Sequence, residues 1–363
     1  MKISIFLMDL GGGGAERVMI NLARGFLEQG LEVDLVLVKA EGPYLAQLPS
    51  RIKVITLNSS RLIFSLPALI SYLKKARPSV LISALEDTNL AALWARKLAN
   101  VSTRVIVTVH NNLSRESQNS KQLKRRLTPH LVRIFYPWAD NIVGVSSGVA
   151  KDLVKIGLPL DKVHYIYNPI VTFELQEKLQ ESLDHPWFSP EQPPVILGVG
   201  RLAKQKDFTT LIRAFSQVRK QQPARLVLLG DGEERTALES LAQELGVIQD
   251  ISFLSFVANP YVYMAKASVL VLSSAWEGFG NVLVESMATG TPVVSTDCES
   301  GPAEILDNGK YGKLVEVGLV EDMAKAIMET LLNPLSEHVL KERANEFTLE
   351  KSVLCYQQLL KTP

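Results

Sequence analysis

Cysteine is nearly absent from this chain: Cys298 and Cys355 are the only two in 363 residues. They lie far apart with no partner spacing, which excludes a disulfide framework or a zinc module and leaves two reduced structural thiols of a cytosolic protein. Long apolar runs are missing too. The N-terminal run (residues 3–8) is too short for a signal sequence and meets Asp9 and glycines. The longest, LIFSLPALISYL (62–73), falls short of the ~20 residues a membrane helix needs and is interrupted by Pro67. Nor does one sign of charge dominate, since the net charge is +1. No RNA- or DNA-binding motif is present, so a nucleic-acid partner is not expected.

What is there suits a globular protein of two domains: 47% hydrophobic and 21% charged residues over a length that favours two cores. The even charge conceals a division. Residues 1–170 carry 22 Lys+Arg against 12 Asp+Glu, a balance of +10, and the remainder carries 17 against 26, a balance of −9. The halves should therefore meet different partners, the first an anionic one.

The first half opens with a strand (ISIFL), a glycine loop, the helix AERVMINLARGFLEQG and a strand (VDLVLV). Val18, Leu22 and Phe26 recur four apart on that helix as one buried face, and Gly30 ends it. Strands follow at 80–85, 104–110, 141–146 and 163–168. Continuous apolar strands alternating with helices predict a parallel sheet covered on both faces. After the polar, proline-bearing residues 169–194 the pattern restarts, with strands at 195–200, 224–230, 269–274 and 292–296. The expectation is a doubly wound α/β domain at 1–170, a second at 171–345, and a C-terminal helix within 346–363 able to pack on either.

Three glycine loops follow strands, where open parallel sheets place ligands. GGGGAERV (11–18) sets bare backbone before a helix N-terminus and suits an anion, whereas a tight turn would need only one glycine. GVGRLAKQKD (198–207) fits G-x-G-x-x-A and brings Arg201 and Lys206 past a strand, a pair that can grip a diphosphate in place of a divalent metal. GDGEER (230–235) resembles a metal pair only superficially, and Asp231 and Glu233 are expected to cap the next helix. In WEGFGNVLVESMATG the helix starts near Asn281 and ends at Gly290. Glu277 stands before it and Glu285 one turn inside, too far apart to be helix neighbours but able to face one ligand. Two carboxylates can bind the hydroxyl pairs of two sugars, as at the ends of a sugar diphosphate.

GGGGAERV, TVH (108–110), VSSGVAKDL, GRLAKQKDFTTLIRAF, FLSF, EGFGNVLVE and GPAEI occur in the order seen in family 4 of the retaining glycosyltransferases, and this resemblance spans nearly the whole chain. It implies the GT-B fold, two doubly wound Rossmann-like α/β domains facing each other across a cleft, with acceptor on the first and nucleotide-sugar on the second. By resemblance Arg201 and Lys206 hold the donor diphosphate, and Gly13 and Gly14 approach it. Glu285 binds the ribose, and Glu277 with the backbone of Phe279, Gly280, Asn281 and Val282 binds the sugar. Phe256 lies near the base and His110 beside the reacting sugar. His110, Glu277, Arg201 and Lys206 form the implied catalytic set. Two positions depart from the family pattern: Ser255 and Asp207 stand where glycines are usual.

The expected reaction is metal-independent, cofactor-free transfer of a hexose from a UDP-sugar, glucose first, to a lipid-linked or glycan acceptor in bacterial exopolysaccharide, capsule or lipopolysaccharide synthesis. A front-face substitution fits a chain in which no nucleophilic carboxylate can be picked out. A nicotinamide oxidoreductase is rejected: the acid it needs ~20 residues beyond the glycines is replaced by the basic helix RAFSQVRKQQ. A non-catalytic nucleotide-sugar binding protein would need the diphosphate residues but neither His110 nor Glu277. Replacing Arg201 or Lys206 by Ala is expected to leave the fold intact.

The segment 120–140 sets Lys121, Lys124, Arg125, Arg126 and Arg133 beside a stripe of Leu123, Leu127, Leu131, Phe135 and Trp138, with Pro129 able to divide the helix. This predicts a peripheral, salt-reversible contact with an anionic membrane surface on the cytoplasmic face.

Overall fold

The computed structural model describes residues 1–361 and divides into two compact units, residues 1–170 with the C-terminal segment from Thr348, and Val171–Phe347. The first unit runs β1 (Lys2–Leu7), α1 (Gly14–Glu28), β2 (Glu32–Leu37), β3 (Lys53–Thr56), α2 (Leu62–Ala76), β4 (Val80–Ala84), α3 (Glu86–Ala99), β5 (Arg104–Val109), α4 (Leu113–Asn119), α5 (Leu123–Phe135), β6 (Asn141–Gly144), α6 (Ser147–Ile156) and β7 (Val163–Tyr165). Its seven strands are all parallel in the order β3-β2-β1-β4-β5-β6-β7. The central strands β1, β4 and β5 are buried almost throughout, which is why they read as unbroken apolar runs. The apolar stretch at 62–73 is the body of α2, which passes through Pro67 and buries Leu69 and Leu73 while Ile63 and Phe64 stay exposed.

The second unit runs α7 (Phe173–Lys178), β8 (Val195–Val199), α8 (Phe208–Gln221), β9 (Arg225–Leu229), α9 (Arg235–Glu244), β10 (Ile251–Leu254), α10 (Tyr261–Lys266), β11 (Val269–Leu272), α11 (Asn281–Ala288), β12 (Val293–Thr296), α12 (Pro302–Ile305), β13 (Lys313–Val315), α13 (Val320–Leu332) and α14 (Glu337–Ala344). Its parallel order is β10-β9-β8-β11-β12-β13. Phe208, Leu211, Phe215 and Val218 of α8 pack with Met323 and Ile327 of α13 over strands β8, β9 and β11.

The last helix, α15 (Leu349–Lys361), belongs to the first unit. Gly25 of α1 makes the approach possible: a Cβ there would lie 2.5 Å from Val353 and 2.8 Å from Leu349. Phe26 meets Tyr356 edge-on at 6.3 Å, and Arg104 donates to the Leu359 and Leu360 carbonyls, which are otherwise orphaned at the helix end. The second unit closes at Phe347 rather than at 345. Three strands, β3, β10 and β13, were not anticipated, and β7 stops at Tyr165 rather than 168. All four are sheet edges.

Candidate active site

In the second sheet the order reverses between β8 and β11, the switch point where open α/β sheets bind ligands beyond their carboxyl ends. The loops leaving these two strands are stitched together. Ala275 N–H donates to the Gln205 carbonyl at 2.8 Å, Gln205 Nε2 donates to the Trp276 carbonyl at 3.0 Å, and Ser273 Oγ donates to the Lys206 carbonyl at 2.7 Å. Across this seam the Lys206 ammonium pairs with Glu277 Oε1, which also accepts from Ser274 Oγ at 2.6 Å. Both contacts fall on Oε1. Glu277 is only 6% exposed, so the ammonium and the hydroxyl replace the water it has lost. Arg201, on the same loop as Lys206, is exposed and its guanidinium has no hydrogen-bond partner among the described residues.

The α11 N-terminus lies just beyond. Gly280 holds the N-cap at φ +99°, a left-handed backbone that glycine adopts without strain, and no side chain caps the helix. Phe279 is buried against Phe347 at 5.5 Å between centroids, so only its backbone can serve a ligand. Glu285 sits one turn into α11 and is 8% exposed. Phe256, beyond the edge strand β10, leaves 48% of its surface open. Cys298 is buried beside this seam, and its thiol is pushed up to about 12, by burial first and then by the Glu277 charge, so it stays protonated and unreactive. The Trp276 Nε1 hydrogen is buried without a partner among the described residues.

In the first unit, Gly13 is the N-cap of α1 and Gly14 its first residue. The space a Cβ on Gly13 would take is held by the carboxylate of Glu16, whose pKa is raised by burial and by Asp9. An anion arriving at this N-terminus has to displace that carboxylate or meet it protonated. His110 follows the last residue of β5, with its Nε2 2.9 Å from Thr108 Oγ1, and burial pushes the imidazole down to about 4, which keeps it neutral at pH 7.

Two family models cover the chain: "Glycosyltransferase Family 4" matches residues 12–172 and "Glycosyl transferases group 1" matches 180–347. A curated Campylobacter jejuni relative, N-acetylgalactosamine-N,N'-diacetylbacillosaminyl-diphospho-undecaprenol 4-alpha-N-acetylgalactosaminyltransferase, is 31% identical over 357 residues, 94% of this chain and 93% of the relative. The chain belongs to glycosyltransferase family 4. The lipopolysaccharide core biosynthesis glycosyltransferase LpsE of Rhizobium meliloti is 28% identical over 99% of both chains. Among solved structures the Anabaena protein HepE in complex with UDP and glucose superposes with a TM-score of 0.82 at 20% identity over 100% of both chains. The lipopolysaccharide outer core galactosyltransferase WaaB superposes with a TM-score of 0.73 at 22% identity over 99% of both chains. The two Rossmann-like units are thus those of the GT-B fold.

The two departures from the family pattern acquire physical accounts. Asp207 keeps the left-handed backbone a glycine would adopt (φ +43°) and caps α8, accepting from the Thr210 N–H at 3.3 Å and also from its Oγ1 at 2.6 Å. Ser255 lies beside Arg235, which donates to the Phe253 carbonyl at 2.9 Å and pairs with Asp231 at 3.2 Å. Asp231 does not cap α9 as expected: the N-cap is Glu234, without a side-chain bond. Asp231 instead accepts from the Phe256 N–H at 3.1 Å, and that bond, more than the adjacent Arg235, lowers its pKa. The expectation failed because an N-terminal acid can spend its oxygens on another loop. Sequence reading also missed Gln205, Ser273 and Ser274, which build the seam. The pair of serines ending the apolar strand VLVLSS was the available signal, since buried hydroxyls there need partners.

Proposed function

We propose that this glycosyltransferase moves a hexose from a UDP-sugar to a lipid-linked or glycan acceptor in bacterial cell-surface polysaccharide synthesis, with retention and without a divalent metal. The seam between the β8 and β11 loops carries the reading: two cations and a desolvated carboxylate stand at one switch point, and both protein contacts to Glu277 use Oε1, leaving Oε2 for a sugar hydroxyl. Arg201 and Lys206 neutralise the departing diphosphate, Glu285 takes the ribose hydroxyls, and Phe256 lies against the base. The bond from the sugar carbon to the diphosphate oxygen breaks as the acceptor oxygen bonds that carbon on the same face. The acceptor proton passes to the departing phosphate oxygen. His110 stands beside the reacting sugar, and Gly13 and Gly14 offer backbone N–H groups to a phosphate. Glucose heads the donor candidates, supported by the UDP and glucose held by HepE, and N-acetylgalactosamine joins it from the name of the Campylobacter relative.

That relative's undecaprenol-linked substrate also supports a lipid-linked acceptor, and with it a peripheral membrane position, which we place on the cytoplasmic face. No helix among the described residues is long and apolar enough to cross a membrane. α5 continues through Pro129 and exposes Leu123, Leu127, Leu131 and Ile134. At 100° per residue these four share one face, flanked by Arg126 and Arg133 on one side and Lys124 on the other. Phe135 and Trp138 leave the stripe to pack with Trp94. Lys124 pairs with Asp87 and Arg125 with Glu116, so Lys121, Arg126 and Arg133 remain for an anionic surface.

The test is a panel of nucleotide-sugars by thermal shift, then UDP release and the anomeric configuration of the product on an undecaprenyl-diphosphate-linked glycan, with and without EDTA. An inverted product, no UDP-sugar that stabilises the protein, or activity abolished by EDTA and restored by Mg²⁺ or Mn²⁺ overturns the corresponding part of the reading.

A further inference from the structure

His110, itself half-buried, ends a polar chain that joins the neighbouring strands β4 and β5 to α3 and to Tyr136 just beyond α5. Thr108 Oγ1 lies 2.9 Å from the Ser83 carbonyl and 2.9 Å from His110 Nε2. A carbonyl oxygen can only accept, so the single hydroxyl proton of Thr108 points to Ser83. Toward His110 the hydroxyl oxygen can then only accept, and Nε2 must carry a proton. Nδ1 is left unprotonated in a neutral ring, with its lone pair available.

The threonine itself is held in place. Asn89 of α3 donates from Nδ2 to the Thr108 carbonyl and to the Tyr136 hydroxyl, each at 2.9 Å, and accepts on Oδ1 from Ser83 Oγ at 2.7 Å. Ser83, Asn89, Thr108 and Tyr136 are all fully buried. Water therefore cannot replace any bond in the set, and one arrangement of donors satisfies it.

We infer that Thr108 is a positioning residue that fixes His110 as the Nε2–H tautomer and presents Nδ1 as a hydrogen-bond acceptor to a sugar hydroxyl. The inference rests on the proposed place of His110 beside the reacting sugar. It restricts what His110 does: at neutral pH the ring receives a proton in a hydrogen bond through Nδ1 and does not donate one there. Burial keeps the ring neutral, in agreement with this assignment.

The experiment compares Thr108→Val, which removes the hydroxyl with little change of shape, with Thr108→Ser, which keeps it. The readouts are the ring-nitrogen NMR of ¹⁵N-histidine-labelled protein, turnover of UDP-sugar, and affinity for UDP. The expected result is a protonated Nε2 in the parent and in Thr108→Ser, and a mixed or reversed tautomer in Thr108→Val. Turnover in Thr108→Val should fall roughly tenfold or more, in the direction of the ~10⁴-fold loss that a wrong tautomer costs a serine protease. UDP affinity should be unchanged and turnover recovered in Thr108→Ser. A parent ring protonated on Nδ1, or a Thr108→Val ring unchanged from the parent, overturns the inference, and the spectrum reports this even if the protein turns nothing over. A shifted tautomer with unchanged turnover would leave the positioning claim standing and remove His110 from the reaction.

Discussion

Removing the Lys206 ammonium should cost the second unit stability as well as turnover, whereas removing the Arg201 guanidinium should cost turnover alone. This revises the expectation from sequence that either change leaves the fold intact, and the reason is the pairing at the seam. Glu277 retains 8% of its side-chain surface and Lys206 21%, so the pair lies well inside the range between exposed and buried. Breaking a fully buried pair costs about 3–5 kcal/mol because a charge is left without a partner, and an exposed pair is worth about 0–1 kcal/mol. Glu277 keeps the 2.6 Å bond from Ser274, which shields part of the loss. The expected cost of Lys206→Ala is therefore about 1–3 kcal/mol by interpolation between those limits. Adding Glu277→Gln should recover most of it, because the unpaired charge goes too, and the double-mutant cycle should return a coupling of about 1–3 kcal/mol. Hydrogen exchange at β11 and α11 isolates the second unit from the rest of a two-unit chain. In the turnover assay both Arg201→Ala and Lys206→Ala should lose about 2–4 kcal/mol of transition-state stabilisation, the scale of a lost charge-stabilising donor. Equal exchange protection in Lys206→Ala and the parent, or no rescue by the second substitution, would refute the pairing argument.

Three further outcomes follow from the structure. Glu285→Ala should weaken UDP binding with no sugar attached, while Glu277→Ala should spare UDP and damage turnover; calorimetry with UDP alone separates them, and equal loss means the carboxylates are misassigned. Glu86, at the start of α3, has its pKa raised from 4.5 to about 7, by burial first and then by Glu116, with Arg125 opposing, so the fold favours its neutral form. Its contribution is therefore fully present below pH 4.5 and is lost as pH rises through about 7. Glu86→Gln should unfold like the parent at pH 4 and be more stable at pH 8, by at most about 3 kcal/mol for a shift of this size and by less because the residue keeps some surface. Urea unfolding at the two pH values checks this, and a destabilised variant at pH 8 would sink it. On α5, exchanging Leu127 and Leu131 for Ser together with Arg126 and Arg133 for Ser should abolish co-sedimentation with anionic vesicles. Arg126 and Arg133, unpaired among the described residues, should alone account for about 2 kcal/mol at low salt, and equal binding to neutral and anionic vesicles would end the membrane proposal.

How far the chain could be read in advance depended on burial. Strands enclosed on both faces, such as β1, β4, β5, β8 and β11, show as unbroken apolar runs because each of their residues meets the core. The edge strands could not show this. β3 is KVIT and β13 is KLV, half-buried and charged at their first residues, and the edge strand β7 stops after three residues where the apolar pattern continues to Asn168. A strand with one neighbour and a wet face carries the composition of a loop. The same division governs the site. The glycines, cations and carboxylates were legible because their types are chemically conspicuous at strand ends. What could not be read was their pairing: that Lys206 reaches Glu277 across 71 residues, or that Thr108 turns His110. Such partners are ordinary residues made specific by desolvation. Ser274 and Thr108 matter only because their surroundings leave each hydroxyl few groups to bond, and that follows from the packed fold rather than from the local sequence.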